Sequence, residues 1–136
     1  MKTILTAGLT LGGCTAARWY LDRTNRRDTE YAGGHVRLTK LWNANGPFGL
    51  KLGRKPLLAA SAAALGALWL CRKQAPVAVG FALGGGLSNL LERLQNRKVY
   101  DYIQFPKAPR KLKTYVFNLA DFAVFSGMLG LLWSKK

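Results

Sequence analysis

Acidic residues are scarce in this chain. Six Asp and Glu stand against twenty-one Lys and Arg, for a formal net charge of +15. Metal-ligand chemistry is equally thin: there is one histidine, His35, and there are two cysteines, Cys14 and Cys71. The cysteines lie far apart in apolar segments with no CxxC spacing. They read as small buried residues and leave the redox compartment open. His35 has no partner at ligand spacing, which argues against a metal site. A Gly-rich phosphate loop and an aromatic-and-basic strand pattern are also missing, which removes the usual signs of a nucleic-acid partner. The basic residues instead flank the apolar blocks, as contact with lipid headgroups requires.

Mean hydropathy is near zero, but that average hides segregation. Four blocks, 3–17, 57–71, 75–91 and 115–133, are nearly free of charge. They predict helices at about 3–21, 56–71, 75–95 and 114–133, joined by polar connections at 22–55 and 96–113 and a turn at 72–74. A helix crossing the ~30 Å hydrocarbon core needs about 20 residues, so the first two blocks are short and their flanking Arg and Lys would have to snorkel. A soluble four-helix bundle is the alternative, but 57–71 has no polar stripe. The expected fold is therefore an all-α integral membrane protein. It would be a single domain over 1–136, with four transmembrane helices and a small extramembrane β-like element at 36–50 in the first connection. Lys2, the apolar run and Leu11-Gly12-Gly13-Cys14 resemble a lipoprotein signal. The run is short and its basic lead is one Lys, so it is read as a retained first helix. Gly84-Gly85-Gly86, with Gly80 one turn before, predicts close helix packing.

Two of the few acids fall in or beside these apolar segments: Asp101 in Val99-Tyr100-Asp101-Tyr102-Ile103, and Asp121 in Phe117-Asn118-Leu119-Ala120-Asp121. An ionisable carboxyl at membrane depth is costly, which makes each a candidate functional group. Asn89 and Arg93 share one face of the third helix, and Asn118 and Asp121 one face of the fourth. Each also has a plain structural reading. Asn89 could bond between helices, Arg93 could snorkel, and Asp101 could be an ordinary interfacial acid. Asp121, among four apolar neighbours, is the hardest to explain in that way.

Gly86-Leu87-Ser88-Asn89-Leu90-Leu91-Glu92-Arg93 and the two Asp-bearing segments resemble, in order and spacing, the motifs of bacterial signal peptidase II, the lipoprotein signal peptidase family. Leu38-Thr39-Lys40-Leu41-Trp42-Asn43-Ala44-Asn45-Gly46-Pro47-Phe48 is similar to that family's Asn-centred motif after the first helix. The resemblance implies a four-helix membrane aspartyl endopeptidase that removes signal peptides from diacylglyceryl-modified prolipoproteins. It implies a catalytic dyad of Asp101 and Asp121, with Asn43, Asn89, Arg93 and Asn118 supporting substrate and dyad. No metal or cofactor is expected. The implied partners are lipidated prolipoproteins and membrane phospholipids, and not nucleic acid. The implied form is a monomer in the bacterial inner membrane, multi-pass.

The alternative is a catalytically divergent relative that binds or processes another lipidated or acyl substrate. Glu92 stands where the family usually has Asp, and Asn45-Gly46-Pro47 replaces its small-residue run; both put substrate choice in doubt. Charge placement conflicts with the implied orientation. Only five of the twenty-one basic residues, Lys2, Arg72, Lys73, Lys135 and Lys136, lie on the side away from the motifs. The positive-inside rule would turn the motifs toward the cytoplasm, whereas the family places them outside. The motifs are more specific than the charge count, so the family orientation is expected.

Overall fold

Small residues decide how the helices meet. The structure, a computed structural model, describes residues 1–24, 28–46 and 50–136. Helices α1 (Lys2–Thr24), α2 (Arg54–Leu70), α3 (Pro76–Asn96) and α4 (Leu119–Trp133) are interleaved with strands β1 (Thr29–Tyr31), β2 (Val36–Asn43), β3 (Val99–Gln104) and β4 (Val116–Phe117). Pro76 opens α3, where its missing N–H costs nothing, and Arg97 closes it in a left-handed conformation. Gly80 and Gly84 of α3 lie against Thr6 and Thr10 of α1, so these two helices run parallel. Gly85 lies against Ala120 and Val124 while Gly127 lies against Ala78 and Ala82, so α4 runs antiparallel to α3. Gly86 meets Leu65 of α2. Central α3 thus touches all three other helices, with Val79, Leu83 and Leu131 at the core and Ala7, Leu65 and Leu68 around them.

A Cβ at Gly85 would stand 2.5 Å from the carbonyl oxygen of Ala120, a backbone atom that can move only with α4. Gly85→Ala is therefore expected to destabilise the fold by about 1–3 kcal/mol, the usual cost of overpacking. Gly8→Ala, where nothing lies within 4 Å, should be neutral or slightly stabilising because Ala is the better helix former. Denaturant unfolding of the two variants checks the pair; equal stabilities would contradict the tight α3–α4 seam.

The strands form one antiparallel sheet in the order β1-β2-β3-β4. Residues alternate across its faces. The β2–β3 register pairs Leu41 with Asp101 and Asn43 with Val99, with a bulge between Leu38 and Leu41. Asn43 and Asp101 are therefore diagonal neighbours on one face. Trp42, Tyr100 and Tyr102 pack in tilted contacts along this pairing, with ring centroids 5.3 and 5.4 Å apart. The sheet lies at the end of the bundle where α1 and α3 finish and α2 and α4 begin.

This architecture corrects the expectation of an all-α integral membrane protein with four transmembrane helices. Four helices are present in the expected order, but the sheet is a second structural component drawn from both connections. Among the described residues, no helix is long and apolar enough to cross a membrane. Helices α2 and α4 have 17 and 15 residues, short of the about 20 a bilayer core requires. Helices α1 and α3 are longer, at 23 and 21 residues. However, α1 carries Arg18, Asp22 and Arg23, and α3 ends with Asn89, Glu92 and Arg93. Helix α4 also starts later than expected: 116–117 pair with β3 before the helix begins.

Candidate active site

Asn118 is not on a helical face but caps one. It is the N-cap of α4: its Oδ1 accepts from the Asp121 amide at 2.9 Å, and Asp121 Oδ2 accepts from the Asn118 amide at 2.9 Å. Such a reciprocal box satisfies amides that a helix start leaves free. The amide of Leu119, another of these, donates to the Tyr102 hydroxyl at 2.9 Å. Capping turns the Asn118 amide nitrogen inward, where it donates to Asp101 Oδ1 at 2.9 Å and to Asn89 Oδ1 at 3.1 Å. Asn89 in turn donates to Asp121 Oδ1 at 3.1 Å. From the sheet, Asn43 donates to Asp101 Oδ2 at 3.2 Å, and its own Oδ1 accepts from the Asn45 amide at 2.8 Å. That local turn fixes the Asn43 side chain at the end of β2.

The structure thus joins five of the six sequence-predicted residues in one hydrogen-bond network: Asp101, Asp121, Asn43, Asn89 and Asn118. Both carboxyls bond to the same residue, Asn118. Arg93, the sixth, donates through Nη2 to the Asn45 carbonyl at 3.3 Å. Among the described residues its buried Nε has no partner. Its charge acts on both aspartates without a direct bond to either. Pro47 and Phe48 of the first-loop motif lie outside the described residues.

Asp101 is 4% exposed. Burial, and then the nearby charge of Asp121, push its carboxyl up to about 7, against the opposing pull of the Asn43 and Asn118 hydrogen bonds and the Arg93 charge. Folding therefore takes up a proton at Asp101 between its ordinary carboxylate range and about pH 7. The stability this contributes is fully present below pH ~4 and lost as pH rises through the folded value. Relative to wild type, Asp101→Asn should become more stable by roughly 2–4 kcal/mol between pH 4.5 and 8.5, at about 1.4 kcal/mol per pKa unit. Unfolding free energies of both proteins across that range test the sign. A stability difference that does not vary with pH would contradict the burial argument.

Two supports were not legible in the sequence. Buried Glu92 accepts from the Tyr100 amide at 3.1 Å and pairs with Arg18 of α1 at 3.2 Å, tying α1, α3 and β3 together beside Asp101. Tyr102 joins β3 to the start of α4. The four aromatic and β-branched residues around Asp101 were the available signal for Tyr102. Nothing local marks Arg18 as the partner of Glu92. Among the described residues, no group of His, Cys, Asp and Glu could hold a metal ion.

A buried carboxyl, Asp101, and a half-buried one, Asp121, held by amide side chains where a helical bundle meets a small sheet, define a paired-carboxyl site. The signal peptidase (SPase) II family model matches residues 9–135. The chain belongs to that family. A lipoprotein signal peptidase of Nitrobacter hamburgensis is 36% identical over 81 residues, 56% of this chain and 49% of the relative. Those of Methylorubrum extorquens and Rhodopseudomonas palustris are 35% and 33% identical, covering 68% and 72% of this chain and 58% and 67% of the relatives. The chain thus spans about half to two thirds of the length of these relatives. Two solved structures described as bacterial membrane enzymes share the fold, with TM-scores of 0.83 and 0.81. Each is 18% identical and covers 98% of this chain, and the chain covers 86% and 91% of them.

Proposed function

We propose that this protein is an aspartyl endopeptidase that removes signal peptides from diacylglyceryl-modified prolipoproteins, with Asp101 and Asp121 as its catalytic pair. The observation that carries the reading is the attachment of both carboxyls to Asn118. Two carboxyls so close, one of them buried and raised toward neutrality, share a proton rather than ionise together. The ionised member takes a proton from a water as that water attacks the scissile carbonyl. The protonated member hydrogen-bonds the carbonyl oxygen and then passes its proton to the leaving amine. Asn43, Asn89 and Asn118 hold the carboxylate oxygens in place, and Arg93, whose Nε has no partner among the described residues, adds a positive charge that acts on both carboxyls.

The family membership and the lipoprotein signal peptidases among its relatives support the substrate class. The likeness to bacterial membrane enzymes supports action at a membrane. We assign the protein to the bacterial inner membrane, acting as a monomer on lipidated precursors. Turnover should depend on the lipid of the substrate, since each buried methylene adds about 0.8 kcal/mol to binding. Purified protein should cleave a diacylglyceryl prolipoprotein at least about 100-fold more efficiently than the same precursor without lipid. Equal turnover would leave a peptidase but remove the lipoprotein assignment, and no turnover of either would remove both.

A further inference from the structure

Two segments at the site end of the bundle carry basic charge with no acid among them. The approach to α2 reads Leu50-Lys51-Leu52-Gly53-Arg54-Lys55, and the short 3₁₀ turn before β4 is Arg110–Thr114, sequence Arg-Lys-Leu-Lys-Thr. Every residue of both segments is exposed. The acids are committed elsewhere: Glu30 to Arg37, Asp22 to Lys40, Glu92 to Arg18, and Asp101 and Asp121 to the site. Asp28 accepts from Thr39. Among the described residues, Lys51, Arg54, Lys55, Arg110, Lys111 and Lys113 have no ion-pair partner.

A merely solvated basic surface would not interleave leucines. Leu50, Leu52 and Leu112 are 55%, 39% and 45% exposed, set between the cations. Directly after the second segment, α4 presents Leu119, Phe122, Phe125 and Leu129 outward at helical spacing. Cations, interleaved leucines and an apolar stripe follow one another from the site end down the bundle. That order matches a headgroup layer above acyl chains, where lysines and arginines meet anionic lipid and apolar side chains sit below. A nucleic-acid backbone would satisfy the cations but leave the leucines and the stripe in water.

We propose that the 50–55 and 110–114 segments form a docking collar for anionic phospholipid headgroups, which seats the carboxyl pair at a negatively charged membrane surface. The inference does not depend on peptidase chemistry, and Asp101→Asn protein should show the same lipid preference. The test uses detergent-purified protein carrying Trp69→Phe and Trp133→Phe, which removes the exposed tryptophans of the far end and leaves Trp19 and Trp42 to report. Micelles are doped with phosphatidylglycerol or phosphatidylcholine, each spin-labelled near the top of its acyl chain, and tryptophan quenching is read. Half-quenching is expected at a mole fraction of phosphatidylglycerol roughly three-fold or more below that of phosphatidylcholine. The preference should vanish in about 0.5 M salt, where the Debye length is only a few ångströms. It should also vanish in a Lys51→Gln, Lys55→Gln, Lys111→Gln, Lys113→Gln variant whose thermal unfolding is unchanged. Equal quenching by the two lipids, or an undiminished preference in the quadruple variant, would overturn the proposal. So would displacement of phosphatidylglycerol by a DNA duplex at equal charge concentration.

Discussion

Asp101→Asn and Asp121→Asn are each expected to lower cleavage of a lipidated prolipoprotein by about 10²–10⁴-fold or more, the range lost with a general acid or base. An amide cannot accept the proton of an attacking water, nor can it return one to a leaving amine. Shape is nearly conserved, so folding should survive. In the Asp101 variant the amide keeps one acceptor for Asn43 or Asn118, which hold the two carboxylate oxygens at 3.2 and 2.9 Å in the wild type. The substitution also removes the cost of a second buried charge. The Asp121 variant keeps one acceptor for the Asn118 amide and so preserves part of the cap. Circular dichroism and unfolding curves establish that each variant is folded, and a gel-based cleavage assay reads the activity. Turnover near wild type in either folded variant would remove the paired-carboxyl mechanism.

Asn118 carries the second large effect, because one side chain performs two tasks. Asn118→Ala should cost about 0.5–2 kcal/mol of stability through the lost N-cap. It should also lower activity strongly by releasing Asp101 Oδ1 and Asn89. Asn118→Asp separates the tasks. Aspartate caps a helix as well as asparagine does, so the box with the Asp121 amide remains, but an acceptor now faces Asp101 in place of a donor. At a pH low enough for one carboxyl of the new pair to stay protonated, that variant should keep the capping stability that Asn118→Ala loses while remaining inactive. As pH rises, repulsion between the new carboxylate and Asp101 should lower its stability. Comparing denaturant midpoints with cleavage rates for both variants tests the division. Activity that tracks stability alone would mean Asn118 acts only as a cap.

The candidate site was more legible in the sequence than the architecture. Asp101 and Asp121 were conspicuous because acids are so rare in this chain; spacing paired Asp121 with Asn118, whereas only the family resemblance joined Asp101 to Asn43 and Asn118. The sheet was legible only in part: the β-like element expected at 36–50 contains β2, Val36–Asn43, but the other strands were not expected. Strand β4 is only Val116–Phe117 and β1 only Thr29–Tyr31, too short for an alternation to register against an apolar background. The central pairing joins β2 to β3 across two helices, a contact no local period reveals. Nearly charge-free blocks predict spans, yet α4 yields its first residues to a strand and a cap. Asn118 and Asp121, expected on one helical face, are instead the two halves of a capping box. The spacing of three serves both arrangements, so sequence could not separate them.

The pH dependence of kcat/KM on a lipidated prolipoprotein tests the shared proton most directly, since it reports the essential acid and base of the free enzyme. With Asp101 at about 7, the profile should be bell-shaped. Activity should rise as the first carboxyl ionises and fall through about pH 7 as the pair loses its remaining proton. A profile that climbs steadily through pH 9 would contradict the account.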